Sequence, residues 1–340
     1  SREEIAVIPF IKAAGKLSSG LKIIASPWSP PPYMKNNGQW QGGYLKSECY
    51  KLWADYIRRY IDEMKKRGVN IWAITVQNET RHHQLWESCV FTAEQEADFV
   101  KNSLGPKLDG TDTKIFVYDH CKERIFERCL KYYSDPKLRD YISGIACHWY
   151  SGDHFEAVEL MKQKYPDKTF MLSECCALHM PGRIGFGDGG FGPVNFQTPE
   201  YVDYLDAADY AHDMIGNLNA GMNRWIDWNF LVDKDGGPRH VPMGFTSGLI
   251  VDDDFHYRKP IMYHYIGHIS KYIAPGAKRI GWSKYGANLD VTAAVNPDGS
   301  YVVILLNRTK EDSGCFLRVN GHIMRVDLPA ETLSTVVIEK

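Results

Sequence analysis

The sequence predicts an α/β fold, a parallel sheet covered by helices, followed by a smaller antiparallel β module. Three observations carry this. Up to about Ser270, short apolar, β-branched runs alternate with long amphipathic stretches. Those runs are nearly unbroken by polar residues, the pattern of strands buried on both faces of a parallel sheet. Beyond Ser270, strand-like runs follow one another closely and are separated by turns rather than helices.

The runs Leu21–Ala25, Asn70–Val76, Lys114–Tyr118, Gly144–His148, Thr169–Ser173 and Asn223–Trp228 read as six strands. Glu48–Arg67 reads as a helix. Leu52, Trp53, Tyr56, Ile57, Tyr60, Ile61 and Met64 recur at i, i+3, i+4 spacing, basic residues crowd the last turn, and Gly68 supplies the stop. A second helix opens with the capping box Thr92-x-x-Gln95 and is expected to close near Gly105. A third takes Thr198 as cap and Pro199 as its first residue and runs to Gly221. A last helix follows Arg258-Lys259-Pro260. Then Leu289–Ala294, Tyr301–Asn307, Cys315–Val319, Ile323–Asp327 and Thr332–Ile338 read as short strands, with turns at Asn296-Pro297-Asp298-Gly299 and Asn320-Gly321. The domain boundary is expected near residue 268, leaving 1–267 as the α/β domain and 268–340 as the β module.

Composition removes several function classes. Across 340 residues, 40 Lys+Arg against 42 Asp+Glu give a net charge of -2, so nothing draws the chain electrostatically to nucleic acid or an anionic membrane. Hydrophobic residues at 44% and charged residues at 24% exclude wholesale disorder. No apolar run approaches the roughly 18 residues a bilayer span needs, so no transmembrane segment is expected. The 8 cysteines show neither disulfide-scaffold density nor C-x-x-C spacing. Nothing at Ser1 resembles a signal peptide. Flat rings are plentiful, 9 Trp and 20 Tyr, and suit sugar faces as well as cores.

Two acidic residues stand where strands end. Glu79 follows the run Ile71–Val76 in Thr75-Val76-Gln77-Asn78-Glu79, and Glu174 follows Phe170-Met171-Leu172-Ser173. In a βα barrel the C-terminal ends of the strands converge on the face where chemistry occurs, so such carboxylates can meet across its mouth. Two carboxyl groups about 5 Å apart suit a retaining glycosidase, one as acid/base and one as nucleophile. The plain alternative for either residue alone is a loop carboxylate or a helix cap.

Ala25-Ser26-Pro27-Trp28-Ser29-Pro30-Pro31, Thr75-Val76-Gln77-Asn78-Glu79, His148-Trp149-Tyr150, Ser173-Glu174 and Asp227-Trp228-Asn229 occur in the order and approximate spacing found in glycoside hydrolase family 30, the glucosylceramidase family. The sequence resembles that family over nearly its whole length. The resemblance implies a (β/α)8 TIM barrel with an attached antiparallel β-sandwich, and retaining double displacement on β-glycosides without a cofactor or metal. It implies Glu79 as acid/base and Glu174 as nucleophile. Asn78 would contact the 2-hydroxyl, Trp28 and Trp228 would line the sugar pocket, and Tyr150 would hydrogen-bond the nucleophile; His148, Trp149 and Asn229 complete the substrate-binding set. Chemistry then asks Glu79 to hold a proton near neutral pH and Glu174 to stay ionised.

The sequence departs from the family pattern in four places. Leu21–Ala25 resembles the third barrel strand, so the first two barrel strands and the N-terminal sandwich strands are expected to be missing from this chain. No residue can be assigned the family's first-strand aspartate. Arg239 stands where a sugar-facing Asn is expected, and Thr80 replaces a proline after Glu79.

Other signals are set aside. Gly185-Phe186-Gly187-Asp188-Gly189-Gly190 matches G-x-G-x-x-G without a strand directly before it or a helix directly after, and reads as a loop over the active face. His264 and His268 read as buried or capping histidines, His82 and His83 as residues of the aglycone entrance or solvent, and Asp252-Asp253-Asp254 lacks the spaced ligands of a calcium loop. Cys175 and Cys176 are expected to pack rather than react.

The expected function is therefore a retaining β-glycoside hydrolase on β-glucosides, including glucosylceramide-like lipids. The alternatives are a β-xylosidase or β-1,6-glucanase of the same family, or a non-catalytic sugar-binding remnant. The expected partner is a carbohydrate or glycolipid, not nucleic acid; oligomeric state is not legible. Asn78-Glu79-Thr80 is also an N-glycosylation sequon on the expected catalytic carboxylate, which favours a bacterial origin; a secreted or periplasmic location is expected ahead of a cytoplasmic one. Protein made in a eukaryotic secretory host is expected to lose activity in the fraction that mass spectrometry shows glycosylated at Asn78; an active, glycosylated fraction would contradict this.

Overall fold

The computed structural model describes residues 1–177, 184–187, 190–193, 199–238 and 245–340. They form two compact units, residues 1–148 with 161–171, and residues 149–160 with 172–340.

The first unit is built on parallel strands β1 (Ile23–Ala25), β2 (Ile71–Thr75), β3 (Lys114–Cys121) and β4 (Ile142–His148), joined by the start of β5 (Thr169–Glu174). The sheet order is β1-β2-β3-β4-β5, so each crossover steps one place along the sheet, as in a barrel wall. Ala73, Phe116, Ala146 and Met171 form a fully buried layer, with Ile24 and Trp72 packed against it. Gly144 is dictated by that packing. A Cβ there would lie 2.1 Å from the Thr169 carbonyl oxygen.

Helix α1 (Ile8–Leu17) precedes β1, and α2 (Tyr50–Lys66) lies between β1 and β2. α2 buries Trp53, Ile57, Ile61 and Met64, leaves Leu52 and Tyr56 half exposed, and ends where Gly68 takes φ +79°. α3 (Ala93–Phe99) opens with the anticipated capping box: Thr92 Oγ1 accepts from Gln95 N at 3.1 Å, and Thr92 N donates to Gln95 Oε1 at 3.0 Å. The helix does not close at Gly105. A π-turn over Val100–Leu104 carries it into α4 (Gly105–Leu108), because Gly105 has helical backbone angles and serves the close approach of Tyr141, 2.4 Å from where its Cβ would be. The left-handed stop is Gly110, φ +74°. α5 (Ile125–Tyr133) and α6 (Pro136–Tyr141) follow, the latter capped by Asp135. Buried Glu96 ties α3, α5 and β3 together, accepting from Tyr118 N at 2.8 Å and from the Tyr132 hydroxyl, with Arg128 at 3.5 Å. Removing one partner of such a buried ionic cluster costs about 3–5 kcal/mol, whereas an exposed pair such as Arg67–Glu63 contributes about 0–1 kcal/mol.

In the second unit, the end of β5 bonds to the segment after α8 (Pro199–Asn219): Leu172 N donates to Arg224 O and Ile226 N to Leu172 O, both at 3.0 Å. The sixth expected strand, Asn223–Trp228, is thereby reduced to one parallel bridge between Leu172 and Trp225. Pairing beside β5 continues to the end of this run, where Trp228 N donates to Cys175 O at 2.9 Å and the Asp227 carboxylate accepts from the Tyr210 hydroxyl. Pro199 heads α8 as expected and Gly221 follows it with φ +94°, while Thr198 lies outside the described residues. α7 (Phe155–Lys164) runs through both units.

The G-x-G-x-x-G segment is not a loop over its described part: β6 (Ile184–Gly187) pairs antiparallel with β7 (Gly190–Pro193). Asp188 and Gly189, like Arg239, lie outside the described residues. Short strands β8 (Val232–Asp233), β9 (Ile250–Val251) and β10 (Tyr257–Arg258) form a separate sheet ahead of α9 (Ile261–Ser270). The C-terminal module has a four-stranded sheet of β11 (Lys278–Arg279), β12 (Asp290–Val295), β13 (Tyr301–Asn307) and β16 (Thr332–Ile338), and a hairpin of β14 (Ser313–Val319) with β15 (His322–Leu328). Leu289, Val291, Ala293, Val303, Leu305 and Leu328 fill its core, with Cys315, Leu317 and Val326 alternating inward from the hairpin. His268 is a packing residue, its Nδ1 2.8 Å from Thr335 Oγ1. Asp252 closes a turn by accepting from the amides of Asp254 and His256.

Gly144→Ala is expected to destabilise the protein by about 1–3 kcal/mol through overpacking, seen as a lower urea midpoint. Gly15→Ala, in exposed α1 with nothing within 4 Å, should raise the midpoint by about 0.5–1 kcal/mol.

Candidate active site

In the first unit the chain leaving β2 is sewn to both neighbouring strands. Val76 N donates to Phe116 O at 3.1 Å, Asn78 N to Pro27 O at 2.9 Å, and Glu79 N to Asp119 O at 2.8 Å. Glu79 has φ +49°, and Tyr118 and Asp119 have φ +78° and +45°, at the point where β3 shifts register against β4. Such angles are uncommon for residues with a Cβ and persist only where surrounding bonds over-determine them. One of those bonds runs from Thr80 Oγ1 to Tyr118 O, 3.0 Å. The outcome is a largely buried carboxyl group at the C-terminal end of the sheet, its residue only 7% exposed.

The two oxygens of Glu79 meet different groups. Oε2 accepts from Gln84 Nε2 at 2.6 Å, and Oε1 lies 3.5 Å from His148 Nδ1. His148 is fully buried at the end of β4, and its Nε2 is 3.2 Å from Asp119 Oδ1. Gln77 Nε2 donates to Trp28 O at 2.6 Å, which fixes the backbone of Trp28 beside Asn78. His82 packs edge-on against His120, ring centroids 4.4 Å apart, and burial pushes the His120 imidazole down to about 2, so it is neutral.

In the second unit β5 delivers Glu174, whose Oε1 accepts from the Tyr150 hydroxyl at 2.9 Å. Burial, then the charge of Glu174, pushes the Tyr150 phenol well above its ordinary range, so it remains a donor. Cys175 and Cys176 are buried behind the strand end and burial raises both thiols far up, which makes them packing residues. Ala177 N donates to the Tyr210 hydroxyl at 3.2 Å, and that hydroxyl donates to Asp227 Oδ1 at 2.8 Å. Trp149 meets Tyr210 edge-on at 5.1 Å, and Trp228 meets Phe245 edge-on at 4.6 Å. Asn229 accepts from Ser247 Oγ at 2.8 Å, with its own Nδ2 3.9 Å from Cys176 Sγ.

Residues 2–273 match the glycosyl hydrolase family 30 TIM-barrel domain, and residues 276–336 match the β-sandwich domain of the same family. The chain belongs to glycosyl hydrolase family 30. It is 32% identical over 327 residues to the lysosomal acid glucosylceramidase of Mus musculus, covering 90% of this chain and 60% of that protein. The crystal structure of SrfJ from Salmonella typhimurium is similar with a TM-score of 0.90 and 33% identity, covering 100% of this chain and 74% of that one. An endo-β-1,6-glucanase structure is similar with a TM-score of 0.85 and 25% identity, covering 100% and 76%. The chain spans about three-fifths of the length of the curated relatives it matches.

Within this family 30 chain the expected site residues divide between the units. Trp28, Asn78, Glu79 and His148 lie in the first; Trp149, Tyr150, Glu174, Trp228 and Asn229 lie in the second. Sequence reasoning missed Asp119 and Gln84, both bonded to this constellation. Asp119 was findable: it too is an acid at the end of an apolar strand, the criterion that singled out Glu79 and Glu174. Gln84 carries no such mark, since only the folding of residues 80–91 brings it back to Glu79.

Burial raises Asp227 to about 7, against about 3.9 for an unperturbed aspartate. Between those values the native state binds more protons than the unfolded one, so this group's contribution to stability declines as pH rises through that window. Asp227→Asn removes the effect. Its stability relative to wild type is expected to improve from pH 4.5 to pH 8 in urea titrations, and a pH-independent difference would refute the assignment.

Proposed function

We propose that this chain carries the catalytic residues of a retaining β-glycoside hydrolase, with Glu174 as nucleophile and Glu79 as general acid/base. The observation that carries the reading is the different dressing of two carboxyl groups at strand ends: a phenol on Glu174, an amide and a histidine at Glu79. The catalytic domain on this reading is 1–267, with 268–340 as the β-sandwich module; the matched family segments, 2–273 and 276–336, support that division.

In the first step Glu174 attacks the anomeric carbon and the glycosidic bond breaks, while Glu79 gives its proton to the departing oxygen. Tyr150 donates to the nucleophile and releases that bond as negative charge leaves the carboxylate. In the second step Glu79 takes a proton from water, whose oxygen displaces Glu174 with net retention. Asn78, Trp28, Trp149, Trp228 and Asn229 are assigned to holding the sugar, and His148, fully buried against Glu79 and Asp119, to backing the acid/base.

We infer β-glucosides, including glucosylceramide-like lipids, as the substrate class, supported by the 32% identity to a lysosomal acid glucosylceramidase. The endo-β-1,6-glucanase of similar structure favours a second reading, β-1,6-glucan. Turnover of a glucosylceramide against a β-1,6-linked gluco-oligosaccharide separates them.

Glu174→Gln is expected to abolish turnover of aryl β-glucosides, and a 2-deoxy-2-fluoro glucosyl inactivator should label Glu174 in peptide mass spectrometry. Glu79→Gln should cost about 10²–10⁴-fold in kcat/KM on poor leaving groups and far less on 2,4-dinitrophenyl glycosides. Proton NMR should show the β-anomer as first product; the α-anomer would exclude the mechanism.

A further inference from the structure

A carboxylic acid that delivers a proton must carry it on one particular oxygen, and the surroundings of Glu79 distinguish its two. Oε2 sits 2.6 Å from Gln84 Nε2. An amide nitrogen donates and has no lone pair to accept with, so an oxygen that receives its hydrogen is the carbonyl oxygen of the protonated carboxyl group. Oε1 faces His148 Nδ1 at 3.5 Å. The other nitrogen of that ring, Nε2, lies 3.2 Å from Asp119 Oδ1, an acceptor that draws the ring hydrogen to Nε2 and leaves Nδ1 with its lone pair toward Oε1.

Gln84 is not on the strand that carries Glu79 but in the following loop, and that loop is anchored from several sides. Gln84 N donates to Ser88 Oγ at 3.2 Å, and Gly42 N donates to the same oxygen at 2.9 Å. Buried Lys35 donates to Ser88 O at 2.6 Å and Ser88 N to Trp40 O at 3.1 Å. Phe91 N returns to Thr80 O at 2.8 Å, closing the loop onto the residue next to Glu79. Gly42, with φ +56°, has its Cα against the His83 ring, 2.0 Å from where a Cβ would be. A glutamine on a freely moving loop would pay rotamer and backbone entropy for each bond, and this anchoring removes most of that cost.

We propose that Gln84 is a positioning residue that assigns the catalytic proton of Glu79 to Oε1, by holding Oε2 as an obligate hydrogen-bond acceptor. The inference rests on the acid/base reading of Glu79 given above. Gln84 acts through Glu79, by deciding which of its two oxygens carries the hydrogen. Losing it leaves the carboxyl free to be protonated on either oxygen and to rotate, a fault that matters only when the leaving group needs a proton.

The test compares Gln84→Met, which removes the donor at similar length, with Gln84→Glu, which keeps the shape and puts an acceptor where the donor was. kcat/KM is measured on methyl and 2,4-dinitrophenyl β-glucosides, with thermal melting as a check on folding and Glu79→Gln as control. Both variants should lose about 10–100-fold on the methyl glycoside, within the range of general acid catalysis, and less than about 3-fold on the dinitrophenyl glycoside. Gln84→Glu should be at least as impaired as Gln84→Met, because its carboxyl draws the proton to Oε2. A packing role predicts the reverse: the isosteric Gln84→Glu near wild type, Gln84→Met equally slowed on both glycosides. That pattern overturns the proposal. If Glu79→Gln itself slows both glycosides equally, the acid/base reading fails; if Glu79→Gln discriminates and the Gln84 variants do not, this inference alone fails. Should Gln84→Met not fold, Gln84→Glu decides, since near-wild-type kcat/KM on the methyl glycoside is incompatible with the proposal.

Discussion

The bond from Glu79 N to the Asp119 carbonyl is the constraint on which the first half of the site depends. It joins the end of β2 to a bulge at the end of β3, and it holds three consecutive problems in one place: a left-handed Glu79, a left-handed Asp119 and a left-handed Tyr118. Each such residue costs of the order of 1–3 kcal/mol, so their clustering at one sheet end is strain stored where the carboxyl must be aimed. What offsets it lies just below, in the Glu96 cluster, where one carboxylate takes the amide of Tyr118 and the hydroxyl of Tyr132 beside Arg128. A buried ionic cluster far from solvent is a costly way to gain stability but a good way to fix a single geometry.

The second unit solves a parallel problem with neutral groups. Glu174 ends β5, and the residues after it are held by Tyr210, which accepts from Ala177 N and donates to Asp227. Burial pushes Asp227 up to about 7, which lowers the charge it carries near Glu174 below that of an ordinary aspartate. Glu174 itself accepts from the Tyr150 hydroxyl at 2.9 Å. On α8, His212 is bonded to Asp153 at 2.9 Å and Asp290 at 2.7 Å, and the Asp153 bond followed by the Asp290 bond pushes it up to about 10. That protonated histidine ties the loop after β4 to β12.

Much of this was legible from residue order. The apolar runs gave five strands of the parallel sheet within a few residues, because strands buried on both faces write their hydrophobicity continuously. The sixth run lies beside β5, with Ile226 N donating to Leu172 O and Trp228 N to Cys175 O, but only Leu172 and Trp225 make a full parallel bridge. Gly105 misled for another reason: glycine marks either a left-handed turn or a close approach, and only the position of Tyr141 tells which. The G-x-G-x-x-G segment shows the same limit, since it reads as a loop and its described glycines lie in two paired antiparallel strands.

The sequence by itself determined which carboxylates end strands, which rings and amides accompany them, and the family whose ordered motifs they form. Those are properties of residue type and local order, which hydrophobic periodicity and motif spacing encode directly. Tertiary structure alone decided how each carboxyl group is dressed. Gln84 reaches Glu79 only because a loop folds back through Ser88 and Lys35, and Asp119 meets His148 only because β3 bulges beside β4. Such contacts depend on side-chain directions set by several separate backbone segments at once, and no local pattern in the chain records that sum.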